Sequence, residues 1–290
     1  MEILDGHIHA EGTGYDCVGL RSKMDAAEVD GGVVISSPPL RYDDAAEPGG
    51  PFERLEDVLR ATSNDANLHP LFWIDPTDDS AVEQVDRATT GGILGFKVIC
   101  STHSVGDSRA MDTYRTIAAA GKPVLFHSGI LWDGMDSSRF NRPAEFESLI
   151  DIPKLRFSLA HIGWPWCDEL IAVYGKFLAA RTARPDRVPE MFIDTTPGTP
   201  AIYRKEALEK LYTIGYDISR NVVFGTDCTA TVYRPEWARE WITRDSEILT
   251  ALGLENEVHK AYFAENIKRF LGLDTAGSET VEFRPLRQAE

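Results

Sequence analysis

The chain has 290 residues, of which 43% are hydrophobic and 26% charged, and its formal net charge is −16. These fractions are those of an ordinary globular protein and exclude a disordered chain. The negative charge argues against nucleic acid as a partner, because phosphate binding requires a basic surface. No apolar run is long enough to cross a membrane, so we expect a cytoplasmic protein without a membrane partner.

Short β-branched and aromatic runs, each bounded by Gly, Pro or Asp, predict eight strands. In chain order they cover residues 2–10, 31–37, 68–75, 92–100, 123–128, 156–162, 191–196 and 221–227. Between them, helical spacing or composition is present at 53–66, 79–90, 109–120, 143–151, 166–182, 201–215 and 235–253, and a further helix is expected over 256–271. Strands and helices therefore alternate along the chain.

The alternation predicts the α/β class. Runs such as GGVVIS and NVVFG are apolar on both faces, which is typical of parallel strands covered by helices. An open doubly wound sheet is the alternative, but eight repeats in this length favour a closed (β/α)8 TIM barrel with an additional C-terminal helix. We expect a single barrel domain over residues 1–273 and a C-terminal tail over 274–290.

Metal-ligating side chains stand at the ends of four predicted strands. His7 and His9 form an H-x-H pair in strand 1, where alternate side chains share a face. His127, His161 and Asp227 end the apolar runs of strands 5, 6 and 8. A lone histidine at a strand end is more often an ordinary core or rim residue. Because the carboxyl ends of barrel strands converge, however, the five residues together predict a site for zinc or a similar divalent ion.

This order of residues resembles the amidohydrolase superfamily of metal-dependent barrels. The motifs DGHIHA, AHIGWPW, FGTD and ENIKRFLGL resemble, more narrowly, its amidohydrolase-related branch. That branch contains aminocarboxymuconate-semialdehyde decarboxylase-like enzymes, other nonoxidative decarboxylases and lactone hydrolases. The resemblance implies that His7, His9, His127 and Asp227 hold one divalent ion, with zinc expected, and that His161 beside it is an acid/base or substrate-polarising group.

The expected activity is that of a metal-dependent hydrolase, in which a metal-activated water attacks an amide, ester or lactone of a small organic substrate. Asp227 would accept the proton, and His161 would polarise the carbonyl or shuttle a proton. One alternative is a nonoxidative decarboxylase or other lyase acting on a small unsaturated or aromatic carboxylic acid. Another is a noncatalytic barrel that the metal stabilises. A homodimer is expected, as in many relatives.

Lys97 lies in predicted strand 4, where superfamily members with two metals carry a carboxylated lysine that bridges them. A carboxylated Lys97 would bring a second metal and would make His161 a ligand. The related branch usually holds one metal, so the alternative is that Lys97 contacts substrate or an interior acid.

Further candidates lie beside the predicted strand ends. Arg41, in the loop after strand 2, is a candidate for binding a substrate carboxylate. Trp164 and His103, on the same rim, are candidates for substrate contact, and each has an ordinary packing or surface role as its alternative. Asp5 has the parity of His7, and it either orients a ligand imidazole or forms interior hydrogen bonds. The strand 8 motif continues as GTDCTATVYRP without the aromatic and proline of many relatives, so no substrate is transferred from them.

Overall fold

A computed structural model describes residues 1–12, 14–15, 17–39 and 49–273. Within them, nine parallel strands form one sheet in the order β8-β7-β6-β5-β4-β3-β2-β1-β9. The strands are β1 Leu4–His9, β2 Gly31–Ile35, β3 Leu68–Trp73, β4 Gly95–Val98, β5 Val124–Phe126, β6 Arg156–Leu159, β7 Glu190–Asp194, β8 Val222–Val223 and β9 Cys228–Thr229. The predicted strands all occur, and the structure shortens most of them by a few residues.

Strands β8 and β9 are the two ends of a single interrupted barrel strand. β8 pairs with β7, and β9 pairs with β1. Between them, the Gly6 amide donates to the Phe224 carbonyl, and the Asp227 amide donates to the His7 carbonyl, both at 3.0 Å. The sheet therefore closes on itself, which confirms the predicted (β/α)8 TIM barrel. The interruption places Asp227 beside the H-x-H pair.

Helices cover the outside of the barrel. They are α1 Val18–Ala26, α2 Pro51–Thr62, α3 Ala81–Gly91, α4 Ser108–Ala119, α5 Cys167–Ala183, α6 Ala201–Thr213 and α7 Pro235–Ala251. The sequence pattern does not predict α1, since only Leu20 and Met24 of this helix are buried. The helix predicted over 143–151 is a 3₁₀ segment, Pro143–Leu149. Its buried residues, Pro143, Phe146 and Leu149, are three apart, which is the spacing of a 3₁₀ face rather than of an α-helix.

The C-terminal helical segment closes the amino end of the barrel. It consists of α8 Asn256–Lys260, one π-helical turn and α9 Asn266–Leu271, which confirms the additional C-terminal helix. Ile267 and Phe270 of α9 pack in the barrel interior with Leu4, Val33 and Leu71. Apolar side chains therefore fill the amino end of the interior, and the polar side chains are left to its carboxyl end.

The alternation of β1 is broken by a shift in its register against β2 between Asp5 and Ile8. Leu4 packs in the interior cluster, whereas Ile8, which has the same parity, packs in the outer cluster between strands and helices. The irregularity allows Leu4 and the later residue His7 to face the same interior. It also separates the surroundings of Asp5 from those of His7.

Candidate functional site

Three predicted ligands converge at the carboxyl end of the barrel. The His7 Nε2 and His9 Nε2 atoms are 3.0 Å apart, and the Asp227 Oδ1 atom is 3.3 Å from His9 Nε2 and 3.7 Å from His7 Nε2. His7 is fully buried, and Asp227 keeps 36% of its side chain exposed. The cluster is thus closed towards the barrel interior and open towards the rim.

The separations suit a single divalent ion. Ligand atoms that bind one ion at about 2.1 Å are themselves about 3.0–3.5 Å apart at octahedral or tetrahedral angles. Burial and the nearby Lys97 ammonium lower the pKa of His7 to about 4, so its imidazole is neutral at pH 7, the form that binds metals. The donor set of two imidazoles and a carboxylate therefore fits zinc or a similar metal.

Asp227 is ionised in this environment. Burial by itself raises its pKa, but the hydrogen bond from His9 and the nearby imidazoles of His161 and His7 hold the pKa well below its ordinary range. The backbone of Asp227 has a φ of 59°. Such a left-handed conformation is uncommon outside glycine, and it is found preferentially where a functional side chain must be aimed.

His161 lies beside the three-residue cluster. Its ring centroid is 5.7 Å from that of His7 and 4.9 Å from that of His127, and its Nδ1 lies 3.3 Å from the Thr196 carbonyl. Burial lowers its pKa. The left-handed backbone at His161, with φ of 61°, turns its side chain inward directly after β6. Because the Thr196 carbonyl only accepts hydrogen bonds, the proton of the neutral imidazole is on Nδ1, and Nε2 can accept a further proton.

His127 is buried next to His161 but is not part of the cluster that His7, His9 and Asp227 form. Its Nε2 lies 3.2 Å from the Ile130 carbonyl, within the loop that follows β5. Burial, His161 and Lys97 lower its pKa well below the ordinary value, so this imidazole is neutral as well. Its role as a metal ligand stays a prediction.

Lys97 is a buried cation at the base of the site. Its Nζ lies 3.4 Å from His7 Nε2, and it is 1% exposed. Burial lowers its pKa to about 8, although Asp194 and Asp227 act in the opposite direction. The lysine is therefore mainly protonated at pH 7 and adds positive charge directly beside the candidate ligands.

Asp194, at the end of β7, is a site residue that the sequence reasoning missed. Its Oδ2 accepts a hydrogen bond from His7 Nδ1 at 2.6 Å, and its Oδ1 accepts from the Thr196 amide at 2.7 Å. Burial by itself raises its pKa, but His7 and Thr196 hold the pKa below its ordinary range. An acidic residue that ends the apolar run MFID, like the ligands on other strands, was the available signal.

Of the two roles predicted for Asp5, the structure shows the interior hydrogen bonds. The carboxylate beside the His7 imidazole is that of Asp194. Asp5 accepts from the Thr226 amide at 2.9 Å and from the Tyr233 hydroxyl at 3.0 Å. Burial raises its pKa to about 6, which these hydrogen bonds partly counteract. The carboxylate thereby holds the segment before Asp227 in place.

The predicted substrate-contact residues are distributed around the rim. Trp164 is half-buried, and its ring centroid is 6.1 Å from that of Tyr203 at the start of α6. His103 is half-buried after β4, and neither ring nitrogen has a hydrogen-bond partner among the described residues. Arg41 lies outside the described residues. Substrate contact by all three stays a prediction.

No helix in the described part of the chain is long and apolar enough to cross a membrane. A search among curated proteins finds no significant match to the sequence. Solved structures, in contrast, match it over nearly its whole length.

An uncharacterized TIM-barrel protein from Bordetella bronchiseptica is 16% identical with a TM-score of 0.66, covering 94% of this chain and 99% of that one. The 2,6-dihydroxybenzoate decarboxylase from Rhizobium is 13% identical with a TM-score of 0.60, covering 94% of this chain and 100% of that one. Dihydroorotase from Campylobacter jejuni is 18% identical with a TM-score of 0.59, covering 95% and 85%. At these identities the likeness shows the fold.

The family comparison reaches further than the structural likeness. The model of the amidohydrolase family matches residues 25–273, which is most of the chain. The match begins after His7 and His9, so it does not rest on the H-x-H pair. The chain therefore belongs to the amidohydrolase family, and it is an enzyme of the metal-dependent amidohydrolase superfamily.

Proposed function

We propose that the protein is a hydrolase of amides, esters or lactones of small organic molecules, with one divalent ion at the carboxyl end of the barrel. The observation that carries this proposal is the convergence of His7 Nε2, His9 Nε2 and Asp227 Oδ1 within 3.7 Å of one another. His127 is proposed as the fourth ligand, and zinc as the metal. When bound, the ion supplies a Lewis acid that polarises a carbonyl and lowers the pKa of water.

The surrounding residues would move the protons of hydrolysis. The ionised Asp227 carboxylate, which is open to the rim, accepts a proton from the attacking water. The His161 imidazole, whose ring centroid is 5.7 Å from that of His7, would take up a proton at Nε2 and donate it to the leaving group. Because burial keeps His161 neutral at pH 7, this imidazole must take up a proton before it can donate one. Its source would be Asp227, after Asp227 has accepted the proton of the water.

A noncatalytic role for the metal is disfavoured by the exposure of the cluster. Structural zinc sites are usually closed by four protein ligands, whereas catalytic sites keep one position open. Asp227 is 36% exposed, and His9 is 20% exposed. The side of the cluster towards the rim is thus accessible to a small substrate.

The second candidate is a nonoxidative decarboxylase, and Lys97 is the observation that favours it. A buried ammonium group near a divalent ion is stabilised when an anionic group lies between them, and a substrate carboxylate would be such a group. Arg234 is exposed and stacks on Trp237 at 4.5 Å from the ring centroid, so it offers no buried charge comparable to that of Lys97. Carboxylation of Lys97, with a second metal, is the remaining alternative.

The reaction class is tested by a product assay. The zinc-loaded enzyme is incubated with lactones, esters, amides and unsaturated or aromatic carboxylic acids, and acid production and carbon dioxide release are followed in parallel. The hydrolase proposal expects acid production from a neutral substrate without carbon dioxide. Carbon dioxide release from a carboxylic acid, abolished in Lys97→Met, would establish the decarboxylase instead.

A pair of matched variants tests the proton transfer. Asp227→Asn should lower turnover of the identified substrate by about 10²–10⁴-fold, because the proton acceptor is lost. Asp168→Asn makes the same chemical change on the exposed surface of α5, and it should leave turnover unchanged. Wild-type turnover in Asp227→Asn would be incompatible with the proposed role. Metal analysis and the mass of the protein in solution test the proposed zinc and the proposed homodimer.

A further inference from the structure

We infer that Asp194 is a positioning residue that sets the tautomer of His7 and thereby makes Nε2 of this imidazole available to a metal. The inference rests on the proposed metal site, with His7 Nε2 as one of its ligands. It assigns a function to a carboxylate that is only 2% exposed.

The two nitrogens of His7 face groups of opposite hydrogen-bonding character. On one side, Asp194 Oδ2 lies 2.6 Å from Nδ1, and an ionised carboxylate only accepts hydrogen bonds. On the other side, Lys97 Nζ lies 3.4 Å from Nε2, and an ammonium group only donates. Both contacts are satisfied when the proton of the neutral imidazole is on Nδ1 and Nε2 carries a lone pair.

The orientation of the Asp194 carboxylate is fixed by its own partners. Its second oxygen, Oδ1, accepts from the Thr196 amide at 2.7 Å and also from the Thr196 hydroxyl. The backbone amide cannot turn away or reverse its character. Oδ1 is therefore committed to Thr196, and Oδ2 is committed to His7.

These commitments give a sharp expectation for Asp194→Asn, which keeps the shape of the side chain. The amide oxygen of the new side chain must face the donors of Thr196, so its NH₂ group faces His7 Nδ1. Nδ1 must then accept, and the imidazole proton moves to Nε2, which points at the His9 and Asp227 ligand atoms. A protonated Nε2 cannot bind a metal, so the variant binds metal only after an unfavourable rearrangement.

The test is the affinity of the metal-free protein for zinc alone, measured by competition with a chelator of known affinity. Loss of a supporting hydrogen bond of this kind typically weakens metal binding about 10–100-fold, which is the expected change for Asp194→Asn. Nitrogen-15 spectra of histidine-labelled, metal-free protein give a second readout. The His7 signals, assigned through His7→Gln, should show the proton on Nδ1 in the wild type and on Nε2 in Asp194→Asn.

Asp245→Asn is the matched control, since Asp245 is also a fully buried carboxylate but bonds Arg204 and Tyr262 rather than His7. It should destabilise the protein without changing the tautomer of His7. Wild-type zinc affinity in Asp194→Asn, or an Nε2–H signal from His7 in the wild type, would overturn the inference. His9→Asn distinguishes failure of the proposed metal site from failure of the role of Asp194. Zinc binding that survives in His9→Asn would refute the metal site itself. Zinc binding that is lost in His9→Asn but unaffected in Asp194→Asn would refute only the role of Asp194.

Discussion

Two clusters of titratable side chains flank β7, one fully buried and one open towards the rim, and they differ in how their hydrogen-bonding groups are matched. Behind the strand, the Arg204 guanidinium donates to both Asp245 oxygens at 2.8 and 2.6 Å, and the Tyr262 hydroxyl donates to Asp245 at 2.6 Å. In front of it, the ligand atoms of His7, His9 and Asp227 lie 3.0–3.7 Å apart with few donors among them.

The difference separates a structural cluster from a binding site. The Arg204 and Asp245 pair is fully buried, and each charge meets the opposite charge at bidentate geometry, so nothing further is required. In the His7 cluster, three potential ligand atoms lie within 3.7 Å of one another and two of them belong to partly exposed side chains, so the cluster has room for a divalent ion. The first cluster is complete without a ligand, whereas the second has the donor set of a candidate metal site.

The largest expected effect is the loss of zinc affinity when the His7 cluster is disrupted. His9→Ala removes a candidate ligand that is partly exposed, so the free energy of unfolding of the metal-free protein should change little. Zinc affinity should fall by more than the roughly 10–100-fold that follows loss of a supporting residue. Chelator competition and urea unfolding measure the two quantities. A large loss of stability without loss of zinc binding would place His9 with the structural cluster instead.

The reverse result is expected behind β7. Arg204→Met leaves the Asp245 charge buried without its partner, so the free energy of unfolding should fall by about 3–5 kcal/mol. The double variant Arg204→Met with Asp245→Leu should regain much of this loss, because no buried charge remains. Urea unfolding at pH 7 measures both. Equal stability of Arg204→Met and the wild type would contradict the comparison.

A pH series sharpens the comparison through the imidazoles. Burial lowers the pKa of His7 from 6.5 to about 4, and it also lowers those of His127 and His161. The unfolded chain therefore binds protons near pH 6.5 that the folded chain takes up only at lower pH. The resulting stability is complete above pH 6.5 and is lost as the pH falls towards 4, by about 3 kcal/mol for His7 alone.

Asp5 acts in the opposite direction, because its pKa is raised from 3.8 to about 6 and the folded chain binds its proton first. The contribution of His7 is isolated by comparing the wild type with His7→Gln in metal-free urea unfolding at pH 7.5 and pH 5. The wild type should lose more stability than the variant between these two values. The same pH dependence in both proteins would show that His7 titrates normally in the folded state.

The smallest expected effect concerns the position of His161. A Cβ atom at Gly198 would lie 2.6 Å from Cγ and 2.8 Å from Nδ1 of His161, so Gly198→Ala must displace this imidazole. We expect turnover to fall by about 10²-fold, because misplacement by about 1 Å is enough for such a loss. The control is Gly19→Ala in α1, where a Cβ meets no atom within 4 Å. Turnover equal in both variants would remove His161 from the proposed mechanism.

The alternation of elements and the motifs of the sequence were enough to predict the fold class and three candidate ligands that converge, His7, His9 and Asp227. Strands and helices have different sequence periods, so their alternation along the chain predicted the barrel. The carboxyl ends of parallel barrel strands meet on one face, so His7, His9 and Asp227 were predicted to converge. Short helices with few buried residues, such as α1, were not predicted, because their hydrophobic pattern is too weak. The proposed chemistry follows from the histidine and aspartate side chains, whose identity the sequence gives directly.

The residues that support the candidate ligands depend on the tertiary structure. Asp5 has the same parity as His7 in the sequence, but β1 has a register shift between them. The Asp5 carboxylate therefore accepts hydrogen bonds from Thr226 and Tyr233. Asp194 lies 187 positions from His7 along the chain, and their hydrogen bond exists only because the barrel brings β7 and β1 to a common interior. Such contacts depend on local register and on distances of a few ångströms, and a pattern in one sequence carries neither.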